Sequence, residues 1–128
     1  MSTQIQVGWL ATLSEAIRIR PAEIVIVGQT RSGKTVLATM LTASGVAETI
    51  LEHQEVSDAS INADVHLIVL RQYGRENAVQ ASHALGVKVT TDELLALPLG
   101  QAVIRLAGET RVTLVDIRRP TATPLFSA

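Results

Sequence analysis

One stretch of this sequence carries residue types at a spacing suited to holding phosphate: Gly28-Gln29-Thr30-Arg31-Ser32-Gly33-Lys34-Thr35. It meets the pattern G-x-x-x-x-G-K-[ST] in full, and each position has a physical reason. Gly28 and Gly33 let the backbone wrap around phosphate where a side chain would clash. Loop amides turned inward form a nest for an anion, and a helix opening at Gly33 aims its positive end at the same point. Lys34 is a point charge that reaches the outer phosphates, and Thr35 supplies a hydroxyl ligand for magnesium. The expected ligand is therefore a nucleoside triphosphate with Mg2+, held by residues 28–35.

Hydrolysis needs more than this loop: a carboxylate near the magnesium and a group that orients water. An apolar strand ending in an acid is the usual source, and Val112-Thr113-Leu114-Val115-Asp116 is the best match. Its competing reading is a hairpin strand whose Asp116 faces solvent. Glu52, after Thr49-Ile50-Leu51, is a second catalytic candidate beside Lys34, and its plain reading is a solvated acid. Asp64 opens a strand, the wrong end of a parallel strand for a ligand site. Arg71 and Gln72 follow that strand at its carboxyl end, where α/β sheets bind ligands, so Arg71 joins the candidate nucleotide contacts. The alternative for both is a solvated loop. Tyr73 is placed to cover a base or to cap the sheet edge. His53, His66 and His83 lack metal-ligand spacing with one another, so surface or core roles are expected. Arg118 and Arg119 lie in what reads as a solvated tail.

The elements that must position these residues follow from periodicity. Trp9, Leu10, Leu13, Ala16 and Ile17 share one helical face, and Pro21 ends that helix. Residues 23–27 read as a central strand, 28–32 as a loop and 33–43 as a helix stopped by Gly45. Residues 46–56 fit a short helix, while Thr49-Ile50-Leu51 also fits a strand. A strand over 64–70 and a helix over 75–85 follow. Residues 87–90 suggest a short strand, and Thr90 with Glu93 has capping-box spacing for a helix to about Ala96. Residues 101–106 and 111–117 form a hairpin across Ala107-Gly108-Glu109-Thr110. The order predicts an α/β fold: a three-layer phosphate-loop sandwich with a mainly parallel central sheet and a C-terminal antiparallel hairpin. Residues 1–119 make one nucleotide-binding domain with an N-terminal helix within 1–20. Residues 120–128, holding Pro120 and Pro124, read as a flexible tail.

Composition narrows the function classes. The 128 residues suit one domain, and 47% of them are hydrophobic. With one Trp, one Tyr and one Phe, the core must be aliphatic. A net charge of -1 supplies no global field for nucleic acid, so the balance of charge does not support a DNA partner. The absence of cysteine excludes a disulfide framework and a thiolate zinc site. No apolar run has membrane-spanning length, and the N-terminus lacks a basic-then-apolar leader pattern, so a cytoplasmic location without membrane contact is expected. No guanine-recognition Asn-Lys-x-Asp occurs, which favours ATP. A sheet this short exposes an edge strand, which favours a homo-oligomer.

The stretch 24–35 resembles P-loop NTPases. The second half narrows the resemblance to the HerA/FtsK superfamily of DNA-pumping motors, which includes coupling proteins of conjugative secretion. The similar pieces are Ile61-Asn62-Ala63-Asp64-Val65-His66-Leu67-Ile68-Val69-Leu70-Arg71, the helix ending at Leu85-Gly86, and Leu97-Pro98-Leu99-Gly100-Gln101-Ala102-Val103. The resemblance implies ATPase activity, a ring-forming assembly, and DNA or a secretion-type protein as partner. Those relatives place several elements between loop and closing segment, including an Asp-Glu strand. Here only 28 residues separate Thr35 from Asp64. Family roles carry over to Gly28, Gly33, Lys34 and Thr35, with an intersubunit role implied for Arg71. The shortened middle also suits a second reading, a non-hydrolysing nucleotide-binding module that regulates or assembles with a protein partner.

Overall fold

A computed structural model of the chain describes residues 8–29, 31–46, 50–57 and 64–127. In chain order these form α1 (Trp9–Ile19), β1 (Ile24–Val27), α2 (Lys34–Ala43), β2 (Ile50–His53), β3 (His66–Val69), α3 (Arg75–Ala84), α4 (Thr91–Leu95), β4 (Gln101–Arg105), β5 (Val112–Asp116) and β6 (Phe126–Ser127). The strands lie in one sheet in the order β2-β1-β3-β4-β5-β6.

The strands β1 and β3 are buried on both faces, as their unbroken aliphatic runs require. Alternation divides their side chains between two cores. Ile24, Ile26 and Ile68 face α1 and α2, meeting Trp9, Leu13, Leu37 and Leu41. Val25, Val27, Leu67 and Val69 face α3 and α4, meeting Ala78, Ala81 and Leu94. The small buried residues Ala78, Ala81 and Ser82 let α3 lie close to the sheet. Thr90 closes the capping box: its hydroxyl accepts from the Glu93 amide at 3.1 Å and its own amide donates to the Glu93 carboxylate at 3.2 Å.

The expectation of a mainly parallel sheet is corrected. β1 pairs in parallel with β2 and β3, but β3–β4, β4–β5 and β5–β6 are all antiparallel, so antiparallel pairings are the majority. The cause is the path after β3. α3 carries the chain away from the carboxyl edge of the sheet and α4 brings it back. The Gln72 amide, just beyond β3, donates to the carbonyl of Leu94 in α4 at 3.1 Å. A chain returned to the edge it left can only re-enter the sheet antiparallel.

Three local readings also change. The ambiguous stretch resolves in part as strand β2, paired with β1 from Ile24↔Ile50 to Val27↔His53, while Thr49 lies outside the described residues. Residues 87–90 form no strand. The Val87 amide donates to the Ser82 carbonyl at 2.9 Å and the Ser82 hydroxyl to the Val89 carbonyl at 2.6 Å, which folds the segment onto the end of α3. The tail expected to hang loose is tied down through 126. The Trp9 amide donates to Ala122 at 3.0 Å, the Leu125 amide to Leu114 at 2.8 Å, and β6 extends the sheet.

His66 opens β3 and is buried. Its Nδ1 accepts the Ala107 amide at 3.0 Å, so the proton sits on Nε2, which donates to the Arg20 carbonyl at 3.3 Å. Burial is the main influence on this ring and pushes its pKa below the ordinary 6.5, against the smaller opposing pull of the Arg20 carbonyl. The unfolded chain then binds the extra proton more readily than the native one. The full contribution is present above about pH 6.5 and is lost as pH falls, by up to about 1.4 kcal/mol per pH unit. Urea unfolding at pH 7.5 and pH 5.5 should show this loss, and His66→Leu should flatten the slope. Asp116 and Glu15, both held below the usual carboxylate range by arginine partners, titrate outside this window. An unchanged slope in His66→Leu would refute the assignment.

Candidate phosphate-binding site

The sequence Gly28–Thr35 connects the carboxyl end of β1 to the first turn of α2. The Ser32 amide donates to the Gln29 carbonyl at 3.1 Å, closing a turn, and the Leu37 amide donates to Gly33 at 3.0 Å, starting the helix. Arg31 and Gly33 both stand at positive φ, 73° and 94°, flanking Ser32. For Gly33 this conformation is free of strain, while for Arg31 it costs about 1–2 kcal/mol. Alternating hands of this kind turn successive amides to one side of the chain and make an anion nest. A surface depression of about 340 Å³ lies against Gln29, Arg31, Gly33, Lys34, Thr35 and Val36. That volume suits a phosphate chain better than an enclosed whole nucleotide, since ligand pockets run from roughly 300 to 1,000 Å³.

Topology places the loop where an α/β sheet receives ligands. α2, which follows β1, packs on one face, and α3, which follows β3, packs on the other. The chain therefore parts to opposite sides between β1 and β3, leaving a crevice at their carboxyl ends. Gln29 spans it. Its carboxamide nitrogen donates to the Gln72 side-chain oxygen at 3.1 Å and to the Gln54 carbonyl, and its oxygen accepts the Tyr73 amide at 2.8 Å. Gln72 is buried, and its own side-chain nitrogen donates to the Leu70 carbonyl at 2.8 Å. The Tyr73 hydroxyl reaches the Arg31 carbonyl at 3.3 Å. The loop is thus clasped from β2 on one side and from the exit of β3 on the other.

Among the residues singled out by sequence, Gly28, Gln29, Arg31, Ser32, Gly33, Lys34 and Thr35 stand together on the loop, while Arg71, just beyond β3, lies over the Tyr73 ring, 5.3 Å from its centre, and is not among the residues lining the depression. Thr30 lies outside the described residues. Lys34 makes no ion pair among the described residues, and Thr35 is exposed beside it. Glu52 is exposed on β2, opposite Ile26, on the face that α2 covers. Asp116 is not brought to the loop. β5 runs in the same direction as β1 but is separated from it by β3 and β4. Ile117, the next residue, belongs to the α2-side core and would lie 3.7 Å from a Cβ on Gly33. Alternation turns Asp116 to the opposite face. There Arg118 engages it, with the amide at 2.9 Å and Nε at 3.2 Å, and these contacts hold its carboxyl below the usual range. Asp64, expected to open the strand, lies two residues before β3 at its amino edge, where it pairs with Arg20 at 3.2 Å.

Gln29 and Gln72 as clasp residues were not anticipated from sequence. The only signal was their position, each just beyond the carboxyl end of a central strand. No three-member cluster of His, Asp or Glu forms among the described residues. No described helix is long and apolar enough to cross a membrane. Comparison of the chain with protein-family models, curated proteins and solved structures finds no match.

Proposed function

We propose that the chain binds a nucleoside triphosphate, ATP by preference, together with magnesium, and acts as a nucleotide-dependent module. The observation that supports this reading best is the loop itself: a full G-x-x-x-x-G-K-T match set between a buried strand and a helix, with Arg31 and Gly33 in the nest conformation. Lys34 supplies charge to the outer phosphates. Thr35, a hydroxyl exposed in the first turn of α2, is the residue that would hold the metal. Magnesium, when bound, neutralises charge on the phosphate oxygens, and it commonly takes only one or two protein ligands.

Calorimetric titration of ATP-magnesium into the wild type and into Lys34→Ala tests this. Heat in the first and its loss in the second is the expected result. No heat in either, at concentrations that reveal a complex of about 1 mM, would sink the reading.

A second reading, a minimal ATPase of the HerA/FtsK type, is favoured by one observation: Glu52 shares a sheet face with α2, next to β1. Phosphate release assayed on the same samples separates the two. Magnesium-dependent turnover lost in Lys34→Ala would establish the enzyme, and its absence would leave the binding module.

A further inference from the structure

The sheet ends in β6, which pairs with β5 on one side and with no other described strand on the other. An unpaired edge is a template for a further strand, and proteins ordinarily block it with charge or proline. β2, at the opposite end of the sheet, carries the exposed charge of Glu52. The chain at β6 reads Leu125-Phe126-Ser127, with neither charge nor proline within it.

The sheet face beside this edge is also uncovered. Val112 and Leu114 of β5 turn to the α3–α4 side, and Phe126 stands opposite Leu114 in register. A depression of about 280 Å³ lies there, against Lys88, Val89, Glu93, Leu97, Leu114 and Phe126. Val87, Leu99, Leu125 and Phe126 are each more than half exposed, and each lines the depression or adjoins in sequence a residue that does. Large apolar side chains gathered around a groove mark a contact surface, whereas scattered ones need no explanation. The turn that carries Lys88 to the rim is itself strained. Val87, a β-branched residue, stands at φ 56°, with its amide held on the Ser82 carbonyl at 2.9 Å.

Two observations choose the occupant. Antiparallel edges pair across a two-fold axis perpendicular to the sheet, so a second copy brings the same edge and the same apolar face to the contact. The groove also carries both signs of charge, Lys88 and Glu93, and neither forms an ion pair among the described residues. Two-fold symmetry repeats both charges on the partner's groove, so the surface is complementary to itself.

We propose that the protein forms a dimer through β6, continuing the sheet antiparallel from one copy into the next and covering Phe126 and the groove beside it. The contact is isologous and closes at two copies, unlike the head-to-tail contact that builds a ring. It needs no nucleotide, and it stands or falls independently of the phosphate loop.

Sedimentation equilibrium of the wild type without nucleotide should give a monomer–dimer equilibrium with a dissociation constant of about 1–100 µM, the weak range suited to a small interface. Phe126→Lys adds the charge that edges ordinarily carry and should raise that constant at least about tenfold. Lys88→Glu sets like charges on both grooves and should raise it by about three- to tenfold. Adding Glu93→Gln to Lys88→Glu removes the repulsion while keeping the helix cap, and should recover part of the loss. Circular dichroism of each variant controls for folding. A wild type that stays monomeric at about 1 mM refutes the dimer and leaves the groove to a different partner. An assembly larger than two copies overturns the two-fold contact. A dimer indifferent to Phe126→Lys refutes the β6 edge, and one indifferent to Lys88→Glu refutes the charge pairing that selects a second copy.

Discussion

Trp9→Ala is expected to lower stability by about 3–5 kcal/mol, the range for removing a buried tryptophan. Trp9 is 2% exposed at the head of α1 and packs in the core that also holds Ile26, Leu41 and Val115. Its indole N–H is shared between the carbonyls of Asp116 at 2.9 Å and Arg119 at 3.0 Å. Its backbone amide donates to Ala122. One residue therefore ties the first helix to the end of β5 and to the tail. The neighbouring Gly8 permits this, since a Cβ there would lie 2.6 Å from the Thr121 backbone. A domain of this size commonly has only about 5–15 kcal/mol in total, so the variant should lose a large share of its stability and unfold at a much lower urea concentration. Urea denaturation followed by far-ultraviolet circular dichroism checks it. Trp9→Phe separates the contributions: it keeps most of the packing but leaves the two carbonyls without their donor, and should cost about 1–3 kcal/mol. A loss below about 1 kcal/mol in Trp9→Ala would mean that α1 and the tail are not docked as described.

The second large effect is expected at Gly28. An added methyl would meet Ser32 Oγ at 2.4 Å, Ser32 Cβ at 3.2 Å and Leu70 Cβ at 3.3 Å. Gly28→Ala should therefore destabilise by about 1–3 kcal/mol through overpacking. It should also displace the turn that aims the loop amides, and so weaken the ATP-magnesium binding proposed above. Ser32→Gly added to Gly28→Ala removes the two closest of these atoms and leaves only Leu70 Cβ. The double variant should recover most of the stability, and a double-mutant cycle should show coupling of about 1 kcal/mol or more. Independent, additive losses would show that Ser32 does not lie under Gly28.

These two sites differ in how far they could be read from the sequence. The candidate phosphate loop was legible because its pattern is local. Eight consecutive residues contain the glycines, the cation and the hydroxyl, and the apolar run before them with the helical run after them is also contiguous. The same holds for the capping box at Thr90 and Glu93 and for the apolar face of α1. Each depends on contacts a few residues apart, and local spacing specifies those contacts.

The tail and the carboxylates were not legible in that way. The segment after Asp116 has prolines and small residues, which suggests a free end. Its docking depends on Trp9, more than a hundred residues earlier in the chain. For Asp116, the pattern of an apolar strand ending in an acid was present, but pattern does not say which face of a sheet a residue occupies or which strands stand between. The structure turns Asp116 to the face opposite Val115 and Ile117 and puts Arg118 on the carboxylate.

The sequence by itself pointed to the aliphatic core, to helices in the regions of α1, α2, α3 and α4, to strands over 23–27, 64–70, 101–106 and 111–117, and to a glycine-rich turn with the G-x-x-x-x-G-K-T pattern at 28–35. Periodicity and backbone chemistry act over short separations, and they suffice for those features. Only the tertiary structure decided the strand order, the majority of antiparallel pairings, the docking of the tail and the Gln29–Gln72 clasp across the β1/β3 crevice. Those depend on where a chain re-enters the sheet after α3 and α4. That is set by which faces can be buried together, a property of the assembled layers and not of any one segment.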